Sequence, residues 1–177
     1  SSAFRELADG ILPQLRRARL TINYETIGRS DEQIMDQLKA DATKLSIEEI
    51  LYGAALQDDA NAQEDIYKIA TEMYPSDGRA YNNIATIEFA KGNYEAARQY
   101  LQKAQGVEES KANLGLLALK NGDVATAEQL IASASNANGI AEILGNLNLA
   151  NGNYAQAEQN FTDIYSNSAA LAQLMNK

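Results

Sequence analysis

The side chains of this chain that could do chemistry are carboxylates, amides, phenols, hydroxyls and amines, because it contains neither His nor Cys. Without His it lacks the usual general base at neutral pH and the commonest metal ligand; without Cys it lacks thiolate ligands, Cys nucleophiles and disulfides. Two acidic pairs remain, Asp58 with Asp59 and Glu64 with Asp65. No EF-hand spacing or other ligand set accompanies them, so they read as a solvated interhelix loop, not as a metal centre or an acid/base pair. No Gly-rich phosphate loop occurs. The expectation is a noncatalytic chain with no cofactor and no metal.

Composition narrows the partners. With 15 Lys+Arg against 24 Asp+Glu the net charge is -9, which argues against nonspecific binding to nucleic acid or to an acidic membrane surface. No apolar run reaches the roughly 18 to 20 residues of a membrane span, so no membrane insertion is expected. The charge is uneven. Residues 1–30 carry five Arg and three acids, a net +2, and residues 31–177 carry ten Lys/Arg and 21 acids, a net -11. That shift sets a boundary near Ser30. Because the chain begins Ser1-Ser2, it reads as part of a processed or longer protein with any address signal upstream.

The elements that would position functional groups come from a turn that recurs. KGNYEAA at 91–97, NGDVATA at 121–127 and NGNYAQA at 151–157 place Gly92, Gly122 and Gly152 thirty residues apart. The register holds on both sides. Each Gly can take the left-handed conformation that ends one helix, and the Asn or Asp after it can cap the next. Ala85, Gly115 and Gly145 fall at one place in the first helices, and Ala97, Ala127 and Ala157 at one place in the second. Small residues there let two antiparallel helices approach within about 8–10 Å. Of the nine Tyr, Tyr67, Tyr81, Tyr94 and Tyr154 sit on repeat core positions, so packing is expected of them before stacking on sugars or bases.

Upstream, Ser46 with Glu49 and Ser30 with Gln33 are capping boxes opening two helices, and Pro75 stops a third. Laid over the later copies, Asp58 takes the place of Gly92, an interval of 34 residues. The later copies are therefore four residues shorter. Ala104 to Lys111 spans seven residues where Ala70 to Tyr81 spans eleven, so the turn is expected to be missing from the join between copies. The units run about 44–77, 78–107, 108–137 and 138–167, with a separate capping helix at 168–176.

This pattern resembles the tetratricopeptide repeat, in which helical hairpins stack into a solenoid. Tyr81, Ile84, Ala85, Gly92, Tyr94, Ala97, Leu101 and Ala104 carry the resemblance in its best copy. It implies an all-α, TPR-like fold over residues 31–177, whose first helices line a concave face that takes an extended peptide or partner helix. The implied lining is Asn82, Asn83, Thr86 and Phe89, then Asn113, Leu116 and Lys120, then Glu142, Asn146 and Leu149. An Asn amide both donates and accepts, so a row of them could hold a peptide backbone whatever its sequence. Repeats that grip a C-terminal carboxylate place cations beside such Asn residues, whereas this chain has Glu48 and Glu109 there. A spacer or self-association element with no groove ligand is the alternative.

Residues 1–30 follow another pattern. Phe4, Leu7, Ala8, Ile11 and Leu12 give a short amphipathic helix over 2–12, ended by Pro13. Ala18, Leu20, Ile22 and Tyr24 then alternate with polar residues, which predicts one half-buried β-strand. Such a strand over 18–26 leaves free edges and would favour a homodimer. The stretch LRRARLTINYETIGRSDEQI, residues 15–34, resembles the sequence that follows an OmpA-like region in cell-envelope proteins of Bacteroides-type bacteria. That implies an upstream OmpA-like domain and a location on the periplasmic side of the envelope. The Asp and Arg with which such domains hold peptidoglycan have no match here.

Overall fold

The computed structural model describes residues 28–175, with side chains described through residue 164. The expected helix over 2–12 and strand over 18–26 lie outside the described residues. Among the described residues the fold is entirely helical. Helix α1 (Asp31–Asp41) leads through a short 3-10 turn (Ala42–Lys44) to α2 (Ile47–Ala55) and α3 (Ala60–Met73). Three hairpins follow: α4 (Gly78–Ala90) with α5 (Tyr94–Lys103), α6 (Glu108–Lys120) with α7 (Val124–Ala132), and α8 (Ile140–Ala150) with α9 (Tyr154–Met175). No helix of the described residues is long and apolar enough to cross a membrane.

Both capping boxes form. The Ser30 and Ser46 hydroxyls accept from the backbone N–H of Gln33 and Glu49, each at 3.3 Å, while the Gln33 and Glu49 side chains accept from the backbone N–H of Ser30 and Ser46. Asp59 opens α3 by accepting from the Ala62 N–H at 2.9 Å, which gives this loop carboxylate a structural role.

The repeated turn closes each first helix in the same way. Gly92, Gly122 and Gly152 have φ of 83°, 78° and 74°, a conformation that costs a residue with a Cβ about 1–2 kcal/mol. In each copy the N–H after the Gly reaches back five residues, Asn93 to Glu88 O, Asp123 to Ala118 O and Asn153 to Asn148 O. The Gly N–H itself reaches back three. This pair of bonds is a Schellman motif, and it satisfies carbonyls that the helix end would strand. The residue after the Gly does not cap uniformly. Asp123 accepts from the Thr126 N–H at 3.1 Å, but the Asn93 carboxamide instead donates to Glu88 Oε2 at 3.0 Å, and the Asn153 carboxamide points back to Asn148 Oδ1. An amide can donate backwards and a carboxylate cannot, so the two residue types diverge at one position.

The core is a chain of clusters rather than a ball. One spans α1 to α4 around Leu45, Ile50 and Ile84, the next joins α4 to α6 through Ala85, Leu101 and Leu117, and the third runs from α6 to α8 around Ile131. The small residues do let the helices close. A Cβ on Gly115 would stand 2.7 Å from Ile131 Cγ1, and one on Gly145 would stand 2.6 Å from Phe161 Cε1. At the front of the stack, a Cβ on Gly53 would stand 2.7 Å from Leu38 Cδ1, so α1 lies directly on α2.

Two expectations change. The joins α3–α4 (residues 74–77) and α5–α6 (residues 104–107) have equal length; α3 has 14 residues and α5 has 10. The turn is therefore lost from the second helix and not from the join. Ala70 lies inside α3, while Ala104, its equivalent, is already the C-terminal cap of α5. The separate capping helix at 168–176 is also replaced, because α9 runs unbroken from Tyr154 to Met175. Ser166, Asn167 and Ser168 are weak helix formers but not breakers, and neither Gly nor Pro interrupts the span.

Candidate protein-binding face

The first helices α4, α6 and α8 hold the ten residues expected on the concave face, and the structure joins six of them into one site. Asn113 on α6 donates to Asn82 Oδ1 on α4 at 3.0 Å, across the seam between two repeats. Asn82 is only 9% exposed, so one of the Asn113 amide hydrogens is committed to a buried bond and not to a ligand. Thr86, one turn on, donates its hydroxyl to Asn82 O at 2.9 Å. Beside this pair lies a notch of about 30 Å³, lined by Ala85, Thr86, Phe89, Leu101, Asn113 and Leu116. Its walls are almost wholly apolar.

The notch has an aromatic edge. The rings of Phe89 and Tyr94 meet edge to face with centroids 5.3 Å apart, and the Lys120 ammonium lies 5.2 Å from the Tyr94 centroid. Such edge-on and cation–π contacts are each worth about 0.5–1.5 kcal/mol at partly exposed sites. Tyr94 was expected in the core and instead is 36% exposed. It stands at the first position of α5, beyond the Gly turn, where the side chain reaches across the open edge of the hairpin. Tyr154, at the same place in the last copy, is 71% exposed. Val124 holds that place in the middle copy. Of the Tyr expected in the core, Tyr67 is buried and Tyr81 half-buried.

The other expected residues lie apart from the notch. Asn83 faces α3 and not the notch: burial raises the Tyr67 phenol on that helix, and the nearby Asn83 carboxamide offsets part of the rise. Asn83 and Asn113 are therefore equivalent in register but not in environment. Asn146 donates to Glu142 O within α8 at 3.1 Å, Glu142 is exposed, and Leu149 is 45% exposed. What sequence reasoning missed was Tyr94, together with Ala85 and Leu101 as the floor of the notch. Its available signal was the spacing Phe89–Gly92–Tyr94, which brings two rings together across a Schellman turn.

The acids expected to spoil a carboxylate grip have structural partners. Glu48 pairs with Arg79 at 3.1 Å, and Arg79 also holds Asp77, the cap of α4. The Arg79 guanidinium beside it keeps the Asp77 carboxyl below its ordinary range. Glu109 accepts from the backbone and side-chain N–H of Asn138, at 3.2 and 2.7 Å, and its carboxyl is likewise lowered, by hydrogen bonds from its own backbone N–H and that of Asn138. Glu64, 7% exposed, is flanked by Lys68 at 2.6 Å and by Lys91, which also reaches Glu88. Burial pushes the Glu64 carboxyl up, but the two ammonium groups outweigh it and hold it below the usual value. No group of three or more acidic side chains that could hold a metal occurs among the described residues.

Stacked antiparallel hairpins, small residues at each crossing and an open face built from the first helices define an α-solenoid of helical repeats. The tetratricopeptide repeat profile matches residues 55–113 and 112–172, most of the chain, and the chain belongs to that family. No curated protein sequence matches it. Among solved structures it is similar to two crystal structures of MamA. One is 18% identical with a TM-score of 0.54, covering 81% of this chain and 89% of that one; the other is 17% identical with the same TM-score, covering 81% and 83%. At that identity the likeness bears on the fold.

Proposed function

We propose that this chain is a noncatalytic protein-interaction module that holds a segment of a partner protein against its first helices. The observation that carries this reading is the apolar notch at the α4–α6 seam with its edge of half-buried Phe89 and exposed Tyr94 and Lys120. A recess with a cation and two rings at its rim favours a face that meets a partner over one that serves only as a spacer. The rest of the face, Asn83, Glu142, Asn146 and Leu149, extends the contact along α4 and α8 in this proposal. Membership of the tetratricopeptide repeat family supports the reading, since stacked hairpins offer an extended surface for a partner.

We place the module in the cell envelope, on the periplasmic side, next to an OmpA-like domain. The support for that context is the resemblance in residues 15–34 alone. A photo-reactive amino acid at Thr86, exposed on α4, is expected to cross-link a discrete partner in envelope extract. The same group at Gln102, exposed on α5, is expected to cross-link none of it. Equal yields at the two positions, or products only with cytosolic extract, would count against the face or against the location respectively.

A further inference from the structure

The notch and its edge have a chemistry that selects among partner segments. Among the described residues Lys120 carries no ion pair, a condition it shares with Lys39, Lys103 and Lys111, but of these four it is Lys120 that lies over Tyr94 at the rim of the notch, whereas Lys103 lies over Tyr100. On a chain of net charge -9 this is an unneutralised cation, and it lies over an aromatic ring at the rim of an apolar recess. Leu116 precedes it by one helical turn and Asn113 by two, so cation and recess share one face of α6. The recess is small. About 30 Å³ exceeds the roughly 10–15 Å³ that one water needs, which suits a single methyl at the branched end of Val or Leu and excludes an aromatic ring.

We infer that this site takes an internal acidic–aliphatic segment of a partner protein, a Val or Leu side chain entering the α4–α6 notch and an Asp or Glu a few residues away pairing with Lys120. The inference rests on the concave-face reading above and names its ligand chemistry. Exposed charges beyond about 8–10 Å are largely screened at physiological salt, and of the acids nearest in sequence to Tyr94 and Lys120, Glu95 pairs with Arg98 and Asp123 accepts from the Thr126 N–H. A side-chain carboxylate is the source because one cation balances one charge, whereas a chain terminus ending in an acidic residue brings two. An approaching carboxylate would also draw the ammonium off Tyr94 and uncover that ring for the partner.

The test uses the whole chain and defined probes: fluorescent nine-residue peptides, acetylated and amidated, with Val, Leu, Phe or Ser at the centre and Glu or Lys two to four places away. Fluorescence anisotropy is expected to show the Val and Leu peptides with Glu binding at least tenfold tighter than those with Lys, Phe or Ser. Thr86→Met, which fills the notch from an exposed position, should weaken the Val and Leu peptides at least fivefold. Lys120→Glu should reverse the Glu-over-Lys preference, a result that mere misfolding does not give. If peptides bind and Thr86→Met weakens them but Lys120→Glu leaves the charge preference unchanged, this inference falls while the concave-face reading stands. If Thr86→Met and Lys120→Glu both leave every affinity unchanged, the segment does not use this face and both fall.

Discussion

At the crossing of each hairpin, the small residue of the first helix and the large residue of the second are matched copy by copy. Ala85 accompanies Leu101, Gly115 accompanies Ile131, and Gly145 accompanies Phe161. As the partner's bulk presses closer, the small residue gives up its Cβ. Gly145→Ala drives a methyl to 2.6 Å from the Phe161 ring, and overpacking of this kind costs about 1–3 kcal/mol. Adding Phe161→Leu should restore most of that loss, because the first copy already uses the Ala/Leu pair. Thermal denaturation of the two variants checks this, and a double variant no more stable than the single one would refute the pairing. The small-residue positions were readable from the thirty-residue register. The amide bond between Asn82 and Asn113 was not, because it depends on which neighbour each side chain meets, and register carries no information about rotamers.

Between elements, the link from α3 to the α4–α5 turn is polar. Glu64 on α3 binds Lys68 on its own helix and Lys91 at the end of α4, while Glu88 receives Lys91 and Asn93. Sequence reasoning placed Glu64 in a solvated loop because it counted the acids without their distant partner, 27 residues on. Helix existence was legible from caps and breakers, and the ends of α1, α2 and α3 fall within a few residues of Ser30, Ser46 and Pro75. The length of α9 was not, since the boundary at 168 followed from the repeat length alone and no Gly or Pro stands there to end the helix. Because the Glu64 carboxyl is lowered in the folded state, its stabilisation is complete above the unfolded value and disappears as pH falls through the folded one. Glu64→Gln should therefore cost about 1–2 kcal/mol at pH 7, with the ammonium groups partly hydrated. Urea titrations of both proteins should converge as pH drops below the ordinary glutamate range. A difference that persists undiminished at pH 3 would show that Glu64 acts through packing and not charge.

Across the whole molecule, every substantial contact among the described helices lies within a hairpin or between neighbours in the stack. Stability in such an array is close to a sum of unit and interface terms, so damage at one end should remain there. Tyr74 offers a clean perturbation. Its phenol, at the end of α3, donates to Leu45 O at 2.7 Å and pins that helix to the buried residue that precedes α2. Tyr74→Phe keeps the ring and removes one hydrogen bond, a loss of about 1 kcal/mol. Hydrogen exchange should then quicken in α1, α2 and α3 by roughly fivefold, the factor that 1 kcal/mol implies. Exchange in α6 and α8, beyond the next cluster, should be unchanged. Equal quickening in every helix would mean that the chain opens as one cooperative unit, and the notch at the α4–α6 seam would then share the stability of the whole stack. Quickening confined to α1, α2 and α3 would instead let the binding face keep its shape while the front of the solenoid opens, because the floor of the notch, Ala85 and Leu101, belongs to the cluster that joins α4 to α6.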